Sequence, residues 1–274
     1  MTKLLEREAP AAVLRWEALL VCLLGWAAFV SIPLGQGTLG LSWDALNHHI
    51  YLGWTAERPR FDRDFLAAGY QSFQFPYLYW PVYKLAMLGW SGAAVGAVLA
   101  TLHALAVPPV WMLARACVPG RTGFDIALRG FAVTLAFLTS VVLSMFHSTQ
   151  NDLMAAVPLV WAVALAMEPV ARPAMGRSAS RRYVLLSGLC AGLAVAMKLS
   201  NGPFAVLLPA LWLLAQSGVR ERLVVASVGC AATTFAFVLS YGYWGLQLWR
   251  NFGNPVYPFY DGVFAPLRGL LGAG

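Results

Sequence analysis

Charge is scarce in this chain: Asp, Glu, Lys and Arg make up only 11% of its 274 residues. That is too little to solvate the surface of an ordinary soluble domain, in which about a quarter of the residues are charged. Cysteine is scarce as well. Cys22, Cys117, Cys190 and Cys230 lie in or at the end of apolar runs, with no metal-ligand spacing among them, which excludes a disulfide framework and a zinc motif. The net charge is +7 and the pI near 9.5, yet no nucleic-acid recognition motif accompanies them, so nucleic acid is excluded as a partner. Lys3, Arg7 and Arg15 ahead of the first apolar run imitate a secretory signal. The run lacks a small-x-small cleavage site and carries Trp16, Glu17 and Trp26, so it reads as a retained anchor. No internal repeat is visible either, which argues against the repeat-built transporter folds.

What remains is apolar. Hydrophobic residues make up 59% of the chain and aromatics 13%, with a mean hydropathy of +0.65. Soluble domains average about 45–50% apolar residues, so this is an all-α polytopic membrane protein. A bilayer core needs about 20 apolar residues per helical crossing. That ruler predicts seven spans, over 17–35, 91–116, 126–146, 153–168, 183–200, 202–217 and 223–243, with 202–217 short enough to be re-entrant instead. The chain is then a single transmembrane domain over 1–274. Residues 1–16 form the N-terminal segment, 36–90 a long first loop with interfacial helices, 91–243 spans two to seven, and 244–274 a C-terminal segment.

Orientation follows from Lys and Arg. With the N-terminus inside, 12 of the 19 basic residues are cytoplasmic, including the cluster Arg172, Arg177, Arg181 and Arg182. The loop 36–90 and the C-terminal segment therefore face the extracytoplasmic side.

That loop begins SWDALNHHIYLGW. On a helix Asp44, Asn47, His48 and Tyr51 share one face, and Trp43, Leu46, Ile50 and Trp54 the other, as in a helix lying in the membrane surface. Ser42 as a cap with Asp44 complementing the helix dipole is the plainer reading of the same residues. Adjacent histidines point about 100° apart on a helix, so His48 and His49 need further ligands to hold a metal. Further on, ERPRFDRDF sets Asp62 and Asp64 among Arg58, Arg60 and Arg63. This is either a self-compensating charge run or a carboxylate pair for a divalent cation beside arginines for a phosphate.

More polar groups gather at the same side. His147, Gln150, Asn151 and Asp152 lie between spans three and four, and Lys198, Ser200 and Asn201 between five and six. Ionisable groups at such positions face a cavity or each other, and a cation there sits at the depth of lipid phosphates. Asp152 as a helix N-terminal acid and Lys198 as a snorkelling side chain are the structural alternatives. The segment LWRNFGNPVYPFYDG adds Arg250, Asn251 and Asp261 among prolines and rings.

Four stretches carry a family resemblance: SWDALNHHIY after the first span, FPYLYWPVYKLAMLGW entering the second, GLAVAMKLSNGP and FGNPVYPFYD. Together they resemble the GT-C superfamily of integral membrane glycosyltransferases, which includes protein mannosyltransferases and the lipid A aminoarabinose transferase. The resemblance implies a polyprenyl-phosphate-sugar donor, a lipid, glycan or protein acceptor, and a location in a bacterial inner membrane. It implies Asp44 as general base, with Asn47, His48, Tyr51 and Asp152 supporting it or binding acceptor. It further implies Arg63, Lys198 and Arg250 on the donor phosphate, and Asp62 and Asp64 as a degenerate DxD element with a divalent cation, magnesium or manganese. Members of the superfamily usually continue with more spans, whereas this chain stops after LLGAG, so a shortened module or a need for another membrane subunit is expected. A flippase for lipid-linked saccharides and a non-catalytic subunit are the rival readings.

Overall fold

The computed structural model describes residues 6–64, 67–150 and 152–271. Lys3 and Asn151 lie outside these. The described chain is helical apart from connections and one four-residue extended segment, Ala67–Tyr70. Among the described residues, four elements are long and apolar enough to cross a bilayer. The first is α1 (Ala11–Gln36). The second is the continuous pair α4 (Gly92–His103) and α5 (Val107–Cys117). The third and fourth are α8 (Asp152–Ala171) and α11 (Val219–Phe252).

The other three expected spans take different forms. The stretch expected at 126–146 is α6 (Gly123–Phe137) followed by α7 (Ser140–Met145); it breaks where Thr139 caps the second helix through Val142 N–H, at 3.3 Å. The stretch at 183–200 is α9 (Arg177–Met197), 21 residues long, whose first turns carry three arginines. The stretch at 202–217 is the 13-residue α10 (Gly202–Leu214). Within 36–90 lie a helix over 45–55, comprising a π-helical turn (Ala45–His49) and α2 (Ile50–Thr55), and the eight-residue α3 (Trp80–Met87). Past α11, α12 (Asp261–Leu271) closes the chain.

The bundle has two chemically distinct ends. At one, residues 7–9 lie against 121–123: Ala9 N–H donates to Arg121 O at 2.9 Å and Gly123 N–H to Arg7 O at 3.2 Å. The same end holds a hollow shared by Arg115, Pro119, Glu168 and Arg172, and the Arg181–Glu221 ion pair at 2.7 Å. At the other, Gly40 N–H donates to His147 O at 2.6 Å and Trp244 Nε1 to Phe73 O at 3.1 Å. The arginine-rich segments and the polar loops thus occupy opposite ends, as their distribution in the sequence predicts.

Close helix packing relies on small residues, as it does where lipid removes the hydrophobic drive between helices. A Cβ on Gly192 of α9 would come within 2.2 Å of Thr233 O on α11, so only glycine permits this approach. Ser187 donates to Ala162 O on α8 at 2.7 Å and accepts from Trp212 Nε1 on α10 at 3.0 Å, tying three helices together.

Among the described residues, one ion pair has both partners buried within the bundle. Arg129 on α6 grips Glu17 on α1 with two parallel bonds of 2.6 and 2.7 Å. Trp111 Nε1 donates to the same carboxylate at 3.1 Å, and the guanidinium also donates to the carbonyls of Val118 and Gly120 at 2.8 Å. Arg129 is therefore held inside the bundle, and Glu17 does more than mark an anchor. Removing one partner of such a pair leaves the other charge buried without compensation, at a cost of about 3–5 kcal/mol, whereas replacing both by apolar residues is close to neutral. Glu17→Met or Arg129→Met alone is thus expected to lower the unfolding midpoint in detergent sharply, and the double variant to recover most of the loss. Equal midpoints for all three variants and the wild type would refute a structural role for the pair.

Candidate functional site

The polar end is built around the helix over 45–55. Ser42 starts it, its Oγ accepting from Ala45 N–H at 3.1 Å, so the plain capping role expected of Ser42 is real. Trp43, Leu46, Ile50 and Trp54 stay on the outside, Trp43 being 73% exposed, while His48 and His49 are buried. This is the two-faced helix the sequence predicts, with one change. The turn Ala45–His49 is π-helical, and its wider winding turns consecutive residues by less than the 100° of an α-helix. Both histidines therefore face inward instead of diverging. Gly53 lets the next turn close on α3, since a Cβ there would lie 2.6 Å from Tyr83 Cβ.

Inside, His48 and His49 meet edge to face with centroids 4.3 Å apart, and His49 stacks on Tyr79 at 4.5 Å. His49 Nδ1 shares a 2.7 Å hydrogen bond with Thr149 Oγ1. His48 Nδ1 lies 3.9 Å from Asp44 Oδ1, beyond hydrogen-bond range, and has no hydrogen-bond partner among the described residues. Burial pushes His48 below its ordinary range; Asp44 opposes this and Lys198 reinforces it. Burial drives His49 further, down to about 3, with the charges of His48 and Lys198 adding and Asp152 opposing. Both rings are thus neutral near pH 7.

Across from them, Lys198 forms an ion pair with Asp152. Lys198 ends α9 in extended backbone, and Asn201 then clamps the helix pair by donating to Ala155 O at 3.1 Å and Ala194 O at 2.9 Å. Lys198 also borders a pocket of about 120 Å³ walled by Phe73, Phe75, Tyr241 and Phe259. Asp44, His48, Asp152 and Lys198, from three separate stretches of sequence, are therefore brought together. His49, Thr149 and Tyr79 join them. HSTQND holds Thr149, and His49 was visible only as half of a histidine pair.

The remaining predicted residues lie elsewhere. Tyr51 points along the helix to Asp64, donating to Oδ2 at 3.3 Å, and burial together with that carboxylate pushes it up to about 12. Arg60 holds Asp64 through bonds of 2.7 and 3.2 Å, and this bonding keeps the carboxyl below its usual range. Asp62 pairs with Arg63 at 3.4 Å beside an open groove of about 660 Å³ that Trp54, Arg58, Tyr83 and Lys84 also line. Asp62 and Asp64 are thus committed to arginines, while Glu57 pairs with Lys84 at 2.7 Å. A divalent cation does not fit here, because Arg60 occupies both oxygens of Asp64; among the described residues no three His, Cys, Asp or Glu side chains converge on one point. The compensated-charge reading of this stretch replaces the cation pair. Arg250 is exposed at the last turn of α11 and borders neither pocket. Asn47 is half-buried on the polar face. Asp261 pairs with Arg268 at 2.6 and 3.0 Å.

No family model matches the chain. Neither the curated proteins nor the solved structures contain a significant match to it.

The depressed His49 has a measurable consequence. Its folded value lies below the unfolded 6.5, so between pH 6.5 and about 3 the unfolded chain binds more protons and stability falls as pH falls. A His49→Gln variant is expected to show a flatter stability profile across this window than wild type when unfolding is followed in detergent. A wild-type profile equally flat there would contradict a buried, neutral His49.

Proposed function

We propose that this chain is a GT-C-like membrane glycosyltransferase acting at the polar end of the bundle. The reading takes seven crossings, counting α6–α7, α9 and α10 with the four long apolar elements. It sets the arginine-rich end in the cytoplasm of a bacterial inner membrane and the polar end on the extracytoplasmic side, by the positive-inside rule. The donor is a polyprenyl-phosphate sugar and the acceptor a lipid, glycan or protein hydroxyl. The observation that carries the reading is the meeting of a half-exposed carboxylate, two neutral imidazoles and an ammonium–carboxylate pair at one end of an otherwise apolar bundle.

In this reading Asp44 takes the proton of the acceptor hydroxyl as its oxygen attacks the anomeric carbon. The bond from that carbon to the phosphate oxygen breaks, and polyprenyl phosphate departs with inversion. Lys198 is the cation whose charge reaches both histidines, and a phosphate in the neighbouring aromatic pocket competes with Asp152 for it. His48 Nδ1, buried and without a hydrogen-bond partner among the described residues, is available to orient the acceptor or Asp44. Arg63 and Arg250, expected on the phosphate, lie outside this cluster, so the reading narrows the phosphate contact to Lys198.

Asp44→Asn in purified, reconstituted protein is expected to lower glycosyl transfer by on the order of 10²–10⁴ while leaving donor binding intact, the usual worth of a general base. Unchanged glycan output would move the chain to a non-catalytic subunit. Passage of a labelled lipid-linked sugar across proteoliposomes without bond formation would make it a flippase.

A further inference from the structure

The arginine-rich end has a built groove of its own. It runs between α9 and α11, has a volume of about 450 Å³, and is lined by Arg177, Arg181, Arg182 and Leu185 on one side and Glu221 and Val228 on the other. Orienting a protein in a membrane requires cations near the helix ends but no cavity among them. Here the cations line a shallow, open groove. Glu221 is engaged by Arg181 at 2.7 Å, so three arginines against one carboxylate leave two positive charges in the groove.

The groove is also graded in polarity along the helix axis. Arg177 begins α9 and Leu185 lies eight residues deeper, roughly 12 Å at the helical rise. Headgroup layers are about 5–7 Å thick on each side of the hydrocarbon, so the cleft passes from the phosphate level into the acyl region. Its floor is apolar at that depth: Leu185 is 42% exposed and Val228 faces it from α11. Basic hollows between transmembrane helices with such a gradient suit phosphodiester headgroups.

We propose that this groove binds the headgroup of an anionic phospholipid, with Arg177 and Arg182 on the phosphate and the first acyl carbons on Leu185 and Val228. The excess of two positive charges favours a lipid with two phosphodiesters over one with a single phosphodiester. The site lies at the opposite end of the bundle from the glycosyl-transfer site; it rests on the reading that α9 crosses the bilayer and not on the glycosyl-transfer assignment.

The test uses the full chain in mixed detergent and phosphatidylcholine micelles, with cardiolipin or phosphatidylglycerol added. Lipid binding is read by native mass spectrometry and by the rise in unfolding temperature. Wild type is expected to retain cardiolipin more tightly than phosphatidylglycerol. Arg177→Gln with Arg182→Gln is expected to bind cardiolipin on the order of tenfold more weakly, as two surface cations predict. Both side chains are exposed, so its lipid-free unfolding temperature should match wild type. Should that variant fail to fold, Leu185→Asp keeps the arginines, places a carboxylate on the groove floor and is expected to weaken binding likewise. Arg7→Gln with Arg15→Gln removes the same charge from the same end outside the groove and should bind as wild type. Equal loss in that control, no loss in either groove variant, or equal stabilisation by inorganic phosphate alone would each overturn the proposal.

Discussion

Hydrocarbon will not solvate an ionised or hydrogen-bonding group, and the arrangement of this molecule follows from that constraint. A chain with so few charges still has to place each of them. It does so by gathering most of them at the two ends of the bundle, where acids and bases pair as Arg181 does with Glu221 and Lys198 with Asp152, and by pairing Glu17 with Arg129 inside the bundle. Backbone and hydroxyl groups obey the same constraint. Ser187 joins α8 to α10, and Asn201 satisfies carbonyls on both α8 and α9 where the second helix ends. The polar end is thus a by-product of sorting by solvent before it is a site, and its chemistry is confined to a thin layer for the same reason.

Much of this is legible in the sequence, because sorting by solvent leaves a periodic record. Trp43, Leu46, Ile50 and Trp54 recur at helical spacing, and their exposed face is where the pattern puts it. The clustering of Asp152 and Lys198 at apolar-run boundaries likewise anticipates their meeting. Three things leave no such record. A π-helical turn is set by what packs against it, so His49 behind His48 could not be foreseen from α-helical spacing. The partner of Glu17 lies 112 residues away and is chosen by helix packing. The choice between a cation pair and a compensated run at Asp62 and Asp64 rests on side-chain directions, and Arg60 four residues before Asp64 decides it. Span number was blurred for another reason: hydropathy counts apolar residues but does not see Thr139 capping a new helix in mid-run.

The helix over 45–55 links two polar regions that the sequence presents as one. At its start stand Asp44 and the imidazoles, near the Asp152–Lys198 pair. At its end Tyr51 reaches Asp64, and Trp54 lies under the Arg60 guanidinium at 4.9 Å. A short, stiff element with hydrogen bonds at both ends holds these regions at a fixed separation. Its outer face is aromatic and aliphatic, the character of a helix that lies on a lipid surface.

The Glu17–Arg129 contact sets an order of events in biosynthesis. Ribosomes add about 5–20 residues per second, so the glutamate reaches the bilayer roughly ten seconds before the guanidinium that will neutralise it is made. Glu17 lies within two turns of the start of its helix, and near a helix end a lone carboxyl can reach water more readily than at mid-span. The first helix can therefore insert alone, but it locks into place only when the segment bearing Arg129 arrives. Nascent chains halted before that point should leave it able to drift laterally in the lipid.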